Sequence, residues 1–269
     1  MSGPQLTRRV SHSGWPSPCD NATLQRNLPD GAATLPTLAE SALTAIGLIF
    51  TADADLLEIV ALSLRVSLLA VLFAAVIGVP LGAVLAVLRF PGRNSLIVLV
   101  NALMGLPPVV VGLFVYLMLS ASGPFGVLNL LYTPAAMIVA QTILVTPIIA
   151  ALTRATLAEM LLEYDETLRA LGASGLDRIG TLLIDARFAL VTALLAGLGR
   201  ALAEVGAVML VGGNIDHVTR VMTTAIALET SRGALPLALG LGIVLLALTV
   251  VLNAVVLGLR EKLQGSAHA

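Results

Sequence analysis

Between Asn94 and Thr153 the chain carries no Asp, Glu, Lys or Arg. A stretch of that length without charge does not suit a water-facing fold, and it suffices for two helices crossing about 30 Å of hydrocarbon. It divides at Ser120-Ala-Ser-Gly-Pro-Phe-Gly126, a turn-rich break followed by Tyr132-Thr-Pro134. Val66–Leu88 and Gly233–Leu259 are also free of charge, and Phe188–Leu210 is apolar except for Arg200 and Glu204. The pattern predicts an all-α membrane protein with five spans, at roughly 57–88, 95–120, 134–153, 188–210 and 234–258. Composition agrees: 12% of residues are charged and mean hydropathy is +0.98, whereas soluble domains carry about 25% charged residues.

The same composition excludes several classes of function. A net charge of −1 leaves no broad basic face for nucleic acid. Cys19 is the single cysteine and cannot close an internal disulfide, and no Cys/His cluster has metal-ligand spacing. Arg8 and Arg9 are followed by Val-Ser-His-Ser-Gly-Trp-Pro16 and not by an apolar run, so no cleavable signal peptide is expected. No nucleophile sits with a paired base. The expectation is a protein without catalytic residues, resident metal or cofactor.

Lys and Arg in short loops mark the cytoplasmic side of a membrane protein. Arg89 and Arg93 lie between the first two spans, Arg154, Arg169, Arg178 and Arg187 follow the third, and Arg260 and Lys262 follow the fifth. The intervening loops hold only Arg220 and Arg232. This alternation predicts an external N-terminus and a cytoplasmic C-terminal tail over 260–269. Arg8, Arg9 and Arg26 dissent, but they lie far from the first span, where the rule weakens. Residues 1–35 are polar and rich in turn formers, and are expected to form a disordered extension. In the segment 36–55, Ala39, Leu43, Ile46 and Phe50 recur at helical spacing, which predicts an interfacial helix and a linker turning at Asp53-Ala-Asp55.

The loop 154–187 is dense in charge, yet Leu157, Met160, Leu161, Leu168 and Leu171 continue at helical spacing. It is therefore expected to be a structured cytoplasmic element. Glu163–Leu171 reads as a short helix stopped by Gly172, with Ala173, Ser174 and Gly175 keeping the next turn thin enough to lie in a groove on a partner. Leu182-Leu-Ile184 then leads back to the membrane. Glu166-Thr-Leu, Gly172 and Leu182-Leu-Ile184-Asp185 resemble the cytoplasmic signature of binding-protein-dependent ABC importer permeases, which runs Glu-Ala-Ala, three residues, Gly, nine residues, Ile-x-Leu-Pro. The glutamate and glycine keep the family's interval, while the second and third positions and the final proline, here Asp185, depart from it. Asn101–Gly112, Gly199–Asn214 and Thr223–Gly233 resemble the oxyanion branch of that family, most of all the tungstate permeases.

The resemblance covers about residues 56–259 and implies the type I permease fold in a prokaryotic plasma (inner) membrane. It implies a homodimer with two ATP-binding subunits, fed by a periplasmic or lipid-anchored oxyanion-binding protein. It also implies that Glu163, Glu166, Arg169, Gly172, Ala173, Ser174 and Gly175 form the contact through which the ATPase drives transport, a coupling helix over about 163–175. No Gly-x-x-x-x-Gly-Lys-Ser/Thr run occurs, so ATP must be hydrolysed by another polypeptide.

Candidate residues for the path lie in spans two and four. Arg200 and Glu204 are four apart and share a face of a continuous helix. A charge at mid-bilayer costs about 2.5–3.5 kcal/mol even on the lenient insertion scale, so they form either an ion pair that makes the span insertable, or part of a gate with Gly206, or both. Pro107-Pro108 in mid-span is either a kink or, flanked by Gly105 and Gly112, a non-helical lining of the path. Asn101, Gln141, Thr142 and Thr146 are polar groups that either face the path or bond between helices. Gly212–Asn214, Arg220 and Arg232 lie outside and are either a receptor-facing surface or a solvated loop. A secondary transporter of a small anion is the rival function, but no inverted repeat accompanies these spans. A channel would require filter-like rings that are not evident.

Overall fold

The computed structural model describes residues 54–267, and all of their regular elements are helical. The predicted extension and interfacial helix fall outside the described residues. α1 (Ala54–Val87) is a single long helix. A short turn then leads to α2 (Arg93–Met104) and α3 (Pro108–Leu119). Arg93 turns its guanidinium back onto the end of α1, donating to the Leu85 carbonyl at 2.8 Å and the Ala86 carbonyl at 3.3 Å. These carbonyls lack helical partners, and a cation suits the negative end of the helix dipole.

After a 3-10 turn at Gly126–Leu128, Thr133 caps α4 (Pro134–Ala170) by accepting the Ala136 N–H. α5 (Gly175–Asp185) and α6 (Arg187–Leu202) follow, then the short α7 (Gly206–Gly212), α8 (Met222–Ser231) and α9 (Leu235–Ala267). α9 passes straight through Arg260–Lys262, so the predicted tail begins as a continuation of the last span.

α1 and α4 pack along each other because α1 offers no side chain where they are closest. A Cβ on Gly78 would lie 2.9 Å from the Thr146 carbonyl oxygen, and one on Gly82 would lie 2.5 Å from that of Ala150. Gly78-Val-Pro-Leu-Gly82 is thus a small-xxx-small seam of the kind that draws membrane helices together. Among the described residues, four apolar clusters lie around this pair, and two hold most of the buried side chains. Val66, Val111, Val115, Met137, Val208 and Val211 join α1, α3, α4 and α7, while Val71, Val145, Ile149, Leu198 and Leu202 join α1, α4 and α6. The opposite faces are apolar too: Leu72, Phe73 and Val76 of α1, Leu113, Phe114 and Leu117 of α3, and Leu246 and Val250 of α9 are all exposed. A protein apolar both inside and out is solvated by lipid or by further membrane helices.

α1, α4 and α9 are long and apolar enough to cross a bilayer, and α2 with α3 and α5 with α6 form bent pairs at 100° and 74°. By length and apolarity that gives three spans, or up to five with each bent pair taken as one, and the interiors of the expected spans differ from the sequence reading. Span two breaks at Gly105–Pro107, the non-helical one of the two alternatives for Pro107-Pro108. Span four is not one helix over 188–210: α6 stops at Leu202 and α7 starts at Gly206. α6 alone, with 16 residues, reaches about 24 Å, short of the hydrocarbon thickness. Finally, Glu163–Ala170 is not a separate short helix but the far end of α4, which projects beyond the bilayer part of span three.

Candidate functional site

The two breaks face each other. Pro107 is extended and stands as the N-cap of α3, with Pro108 at its first turn, where a missing N–H costs no hydrogen bond. α3 then lies against α7 with almost nothing between them. A Cβ on Gly112 would meet the Ala207 Cα at 2.6 Å, and one on Gly206 would meet Val109 Cγ2 at 2.8 Å. Pro107, Pro108 and Gly206 are therefore brought together, whereas Asn101 lies on α2, beyond the 100° bend, and is exposed.

Glu204 sits in the break of span four and is 3% exposed. One carboxylate oxygen accepts from Arg200 at 2.7 Å and the other from the backbone N–H of Ala207 at 3.1 Å. Its own carbonyl accepts from the Thr223 hydroxyl at 2.8 Å. The side chain thus does for the first turn of α7 what an N-cap residue does, and neutralises Arg200 as well. The expected pairing of Arg200 with Glu204 is present, but at the end of α6 instead of on the face of an unbroken helix.

Gln141 bonds across helices, its Nε2 donating to the Ala201 carbonyl at 3.1 Å. Thr142 and Thr146 return their hydroxyls to carbonyls of their own helix, Ile138 and Thr142, each at 2.7 Å, and the Thr142 hydroxyl also lies 3.4 Å from the Ala70 carbonyl of α1, a bond between helices. Sequence reading missed Gly112 as a contact point and Thr223 as a partner of the break. The first is betrayed only by its spacing from Pro108. The second depends on a return of the chain that no local pattern shows.

The charged element between α4 and α6 is an elbow. Gly172 takes φ +74° after α4, a conformation that L side chains rarely adopt, and nothing lies within 4 Å of where its Cβ would be. Ser174 then opens α5 with a capping box: its backbone N–H donates to the Asp177 carboxylate at 3.0 Å, and its hydroxyl accepts the Asp177 N–H at 3.3 Å. Hydrogen bonds from Ser174 hold the Asp177 carboxyl below the ordinary aspartate range. Asp165 of α4 pairs with Arg169 at 2.9 Å and with Arg178 of α5, pinning the elbow closed. Leu182 is fully buried among Ala83, Ala86 and Leu157. Ile184, expected to lead inward with it, is 63% exposed, as are Leu162, Leu171 and Leu176 to a greater degree. Glu163, Glu166, Arg169, Gly172 and Ser174 are all exposed, and Ala173 and Gly175 half-buried. The predicted contact residues lie on the last turns of α4 and the turn into α5, with exposed Leu171 and Leu176 flanking that turn, while Leu162 lies further back on α4 and Ile184 at the far end of α5.

On the side of the α7–α8 loop, Gly213 and Asn214 both take positive φ. Arg220 is held by Asp216 at 2.7 Å and Arg232 by Glu229 at 3.1 Å. His217 bonds Glu58 of α1 at 2.9 Å through Nδ1. That bond, with the carboxylates of Asp216 and Asp55 nearby, raises the His217 pKa above 6.5.

Residues 78–265 match the family model described as the binding-protein-dependent transport system inner membrane component. The chain is 39% identical over 215 residues to a probable anion ABC transporter permease protein of Haloferax volcanii, covering 78% of this chain and 93% of that one. It is 38% identical over 225 residues to the tungstate uptake system permease protein TupB of Peptoclostridium acidaminophilum, covering 84% and 99%. Likeness to the sulfate transport system permease protein CysT of Salmonella typhimurium is lower, 29% over 200 residues, covering 71% of each.

Proposed function

The chain belongs to the family of binding-protein-dependent transport system inner membrane components, and on that premise we propose that it forms the membrane path of an ATP-driven importer of tungstate. The likeness to a tungstate uptake permease over 99% of that protein's length carries the choice of anion. Two copies pair in the membrane, two ATP-binding subunits dock on the cytoplasmic side, and an external oxyanion-binding protein delivers the cargo. The N-terminus lies outside and the C-terminus in the cytoplasm, in keeping with Arg89, Arg93, Arg154, Arg169, Arg178 and Arg187 on the cytoplasmic loops.

The elbow of α4 and α5 receives the ATPase. Its tip offers Leu171 and Leu176 to a groove, with the exposed Glu163, Glu166 and Arg169 on the adjoining turns of α4, an arrangement suited to an interface with an apolar centre and a charged rim. α5 is seated by Leu182 against α1 and α4, so displacement of the elbow reaches two spans at once. At the other end of the mechanism, the facing breaks of spans two and four form the gate. Short helices joined by non-helical residues can rotate apart without unwinding a whole span. A gate of this kind needs no tight anion site, because selection rests with the external protein.

The deciding experiment is uptake in proteoliposomes that hold the permease with its ATPase and binding protein. Tungstate accumulation is expected to stop on ATP depletion and to survive collapse of the proton gradient. The reverse pattern would make the chain a secondary transporter. Calorimetry of the binding protein with tungstate, molybdate and sulfate decides the anion.

A further inference from the structure

Behind the broken end of α6 lies a small pocket of about 10 Å³, walled by Ser63, Ser67, Gln141, Ala201, Met222 and Thr223 among others. Its polar walls are buried: Ser67, Gln141 and Thr223 are 3%, 4% and 8% exposed. Gln141 donates its Nε2 to the Ala201 carbonyl, which fixes the amide, since the flipped orientation would set two oxygens against each other. Oε1 is therefore turned away from α6, buried, and without a hydrogen-bond partner. Buried acceptors are rarely left in that state unless a water or ion satisfies them.

We infer that this cavity binds one ordered water, which donates to Gln141 Oε1 and completes the polar seam behind the break. The space matches the least that one water occupies, and water needs two to four polar partners. Ser63 already donates to the Ile59 carbonyl and accepts the Met222 N–H, both at 2.8 Å. Thr223 donates to the Glu204 carbonyl at 2.8 Å. Each hydroxyl keeps a lone pair that can accept from the water, and the Ser67 hydroxyl can donate to it. The water thus joins α1, α4 and the start of α8 at the point where Thr223 holds Glu204. It gives the break a replaceable hydrogen-bond partner in place of a rigid side-chain contact.

Radiolytic footprinting in 18O-water, on the permease with its partner subunits in nanodiscs, tests this. Hydroxyl radicals formed at a bound water mark the side chains around it. Met222, 1% exposed and lining the cavity, is expected to be oxidised several-fold faster than Met137, which is 0% exposed and lines no part of it. Ser67→Val fills the space and should bring Met222 down to the rate of Met137, while Ser67→Ala keeps the space and the labelling. Equal protection of the two methionines in the unsubstituted protein overturns the site, whatever the variants do. So does labelling that persists in a folded Ser67→Val protein, or labelling that disappears when potassium is replaced by sodium, which would assign the cavity to a cation.

Discussion

The Oε1 of Glu204 accepts the backbone N–H of Ala207 at 3.1 Å, so a carboxylate left over from the end of one helix closes the first turn of the next. Glu204→Ala removes this cap and leaves Arg200 unpaired. Hydrogen bonds to charged groups are worth about 1.5–3 kcal/mol, and a loss of that order is expected in the stability of the purified protein. Uptake should be abolished while membrane insertion is kept, because the unpaired Arg200 costs only about 2.5–3.5 kcal/mol on the insertion scale in an otherwise apolar stretch. Glu204→Gln retains an acceptor for Ala207 and should retain part of the uptake. Uptake at the unsubstituted rate in Glu204→Ala would remove the gate from this break.

Gly112 and Ala207 make a second, purely steric prediction. Gly112→Val places branched carbon where a single Cβ already lies 2.6 Å from backbone. α3 and α7 must part, at about 1–3 kcal/mol by comparison with other overpacked cores. Gly199→Ala is the control: no atom lies within 4 Å of its Cβ position, and alanine favours a helix by about 1 kcal/mol over glycine. Thermal unfolding in detergent should show the first variant lowered and the second unchanged or raised.

The spans and the elbow were legible in the sequence because each rests on a local signal: charge-free runs, a change in charge density, a glycine after a helical stretch. The breaks were half legible. Pro107-Pro108 announced an irregularity and its form, a 100° bend, did not follow from it. Nothing in Phe188–Leu210 announces that the helix stops at Leu202, since Ala203 and Val205 are ordinary in a membrane helix. The stop depends on Gln141 taking the Ala201 carbonyl and Thr223 taking that of Glu204, partners supplied from distant parts of the chain. Glu163–Leu171 was misread as a free helix because the charges that begin at Arg154 mark the membrane boundary, and a helix may pass through that boundary unbroken.

Asp165 bridges the two arms of the elbow, holding Arg169 on its own helix and Arg178 on α5. Arg178 is only 12% exposed in its side chain, so this pair is worth more than the 0–1 kcal/mol typical of surface bridges. Asp165→Asn should loosen α5 from α4 by about 1–2 kcal/mol. Expected readouts are faster amide exchange over 172–181 and more ATP hydrolysed per anion imported. Unchanged coupling in a variant with faster exchange would show that the elbow need not be rigid.

Gly172 separates conformation from bulk. Its φ of +74° penalises any residue with a Cβ, by about 1–2 kcal/mol, yet open space surrounds it. Asparagine visits this region most readily of the non-glycine residues. Gly172→Asn is therefore expected to retain uptake and Gly172→Val to lose most of it, with ATP hydrolysis continuing uncoupled. Loss in both variants would instead mean that the partner subunit packs directly on this position. Retention in both would place the coupling contact elsewhere.

His217 and Glu58 tie the α7–α8 loop to the start of α1 at 2.9 Å. The folded state raises the histidine pKa above 6.5, through the bond to Glu58 first and the charges of Asp216, Glu58 and Asp55 next. A raised folded value means that protonation and folding support each other. The stabilisation is then present in full below the unfolded value of about 6.5 and is lost as pH rises through the higher folded one. Arg220 does not reverse this, since Asp216 already holds it. The difference in Tm between the unsubstituted protein and His217→Ala should be largest near pH 6 and shrink toward pH 9. Glu58→Gln should show the same weakened dependence. A Tm difference that stays constant across this range would mean that the imidazole contributes by packing alone.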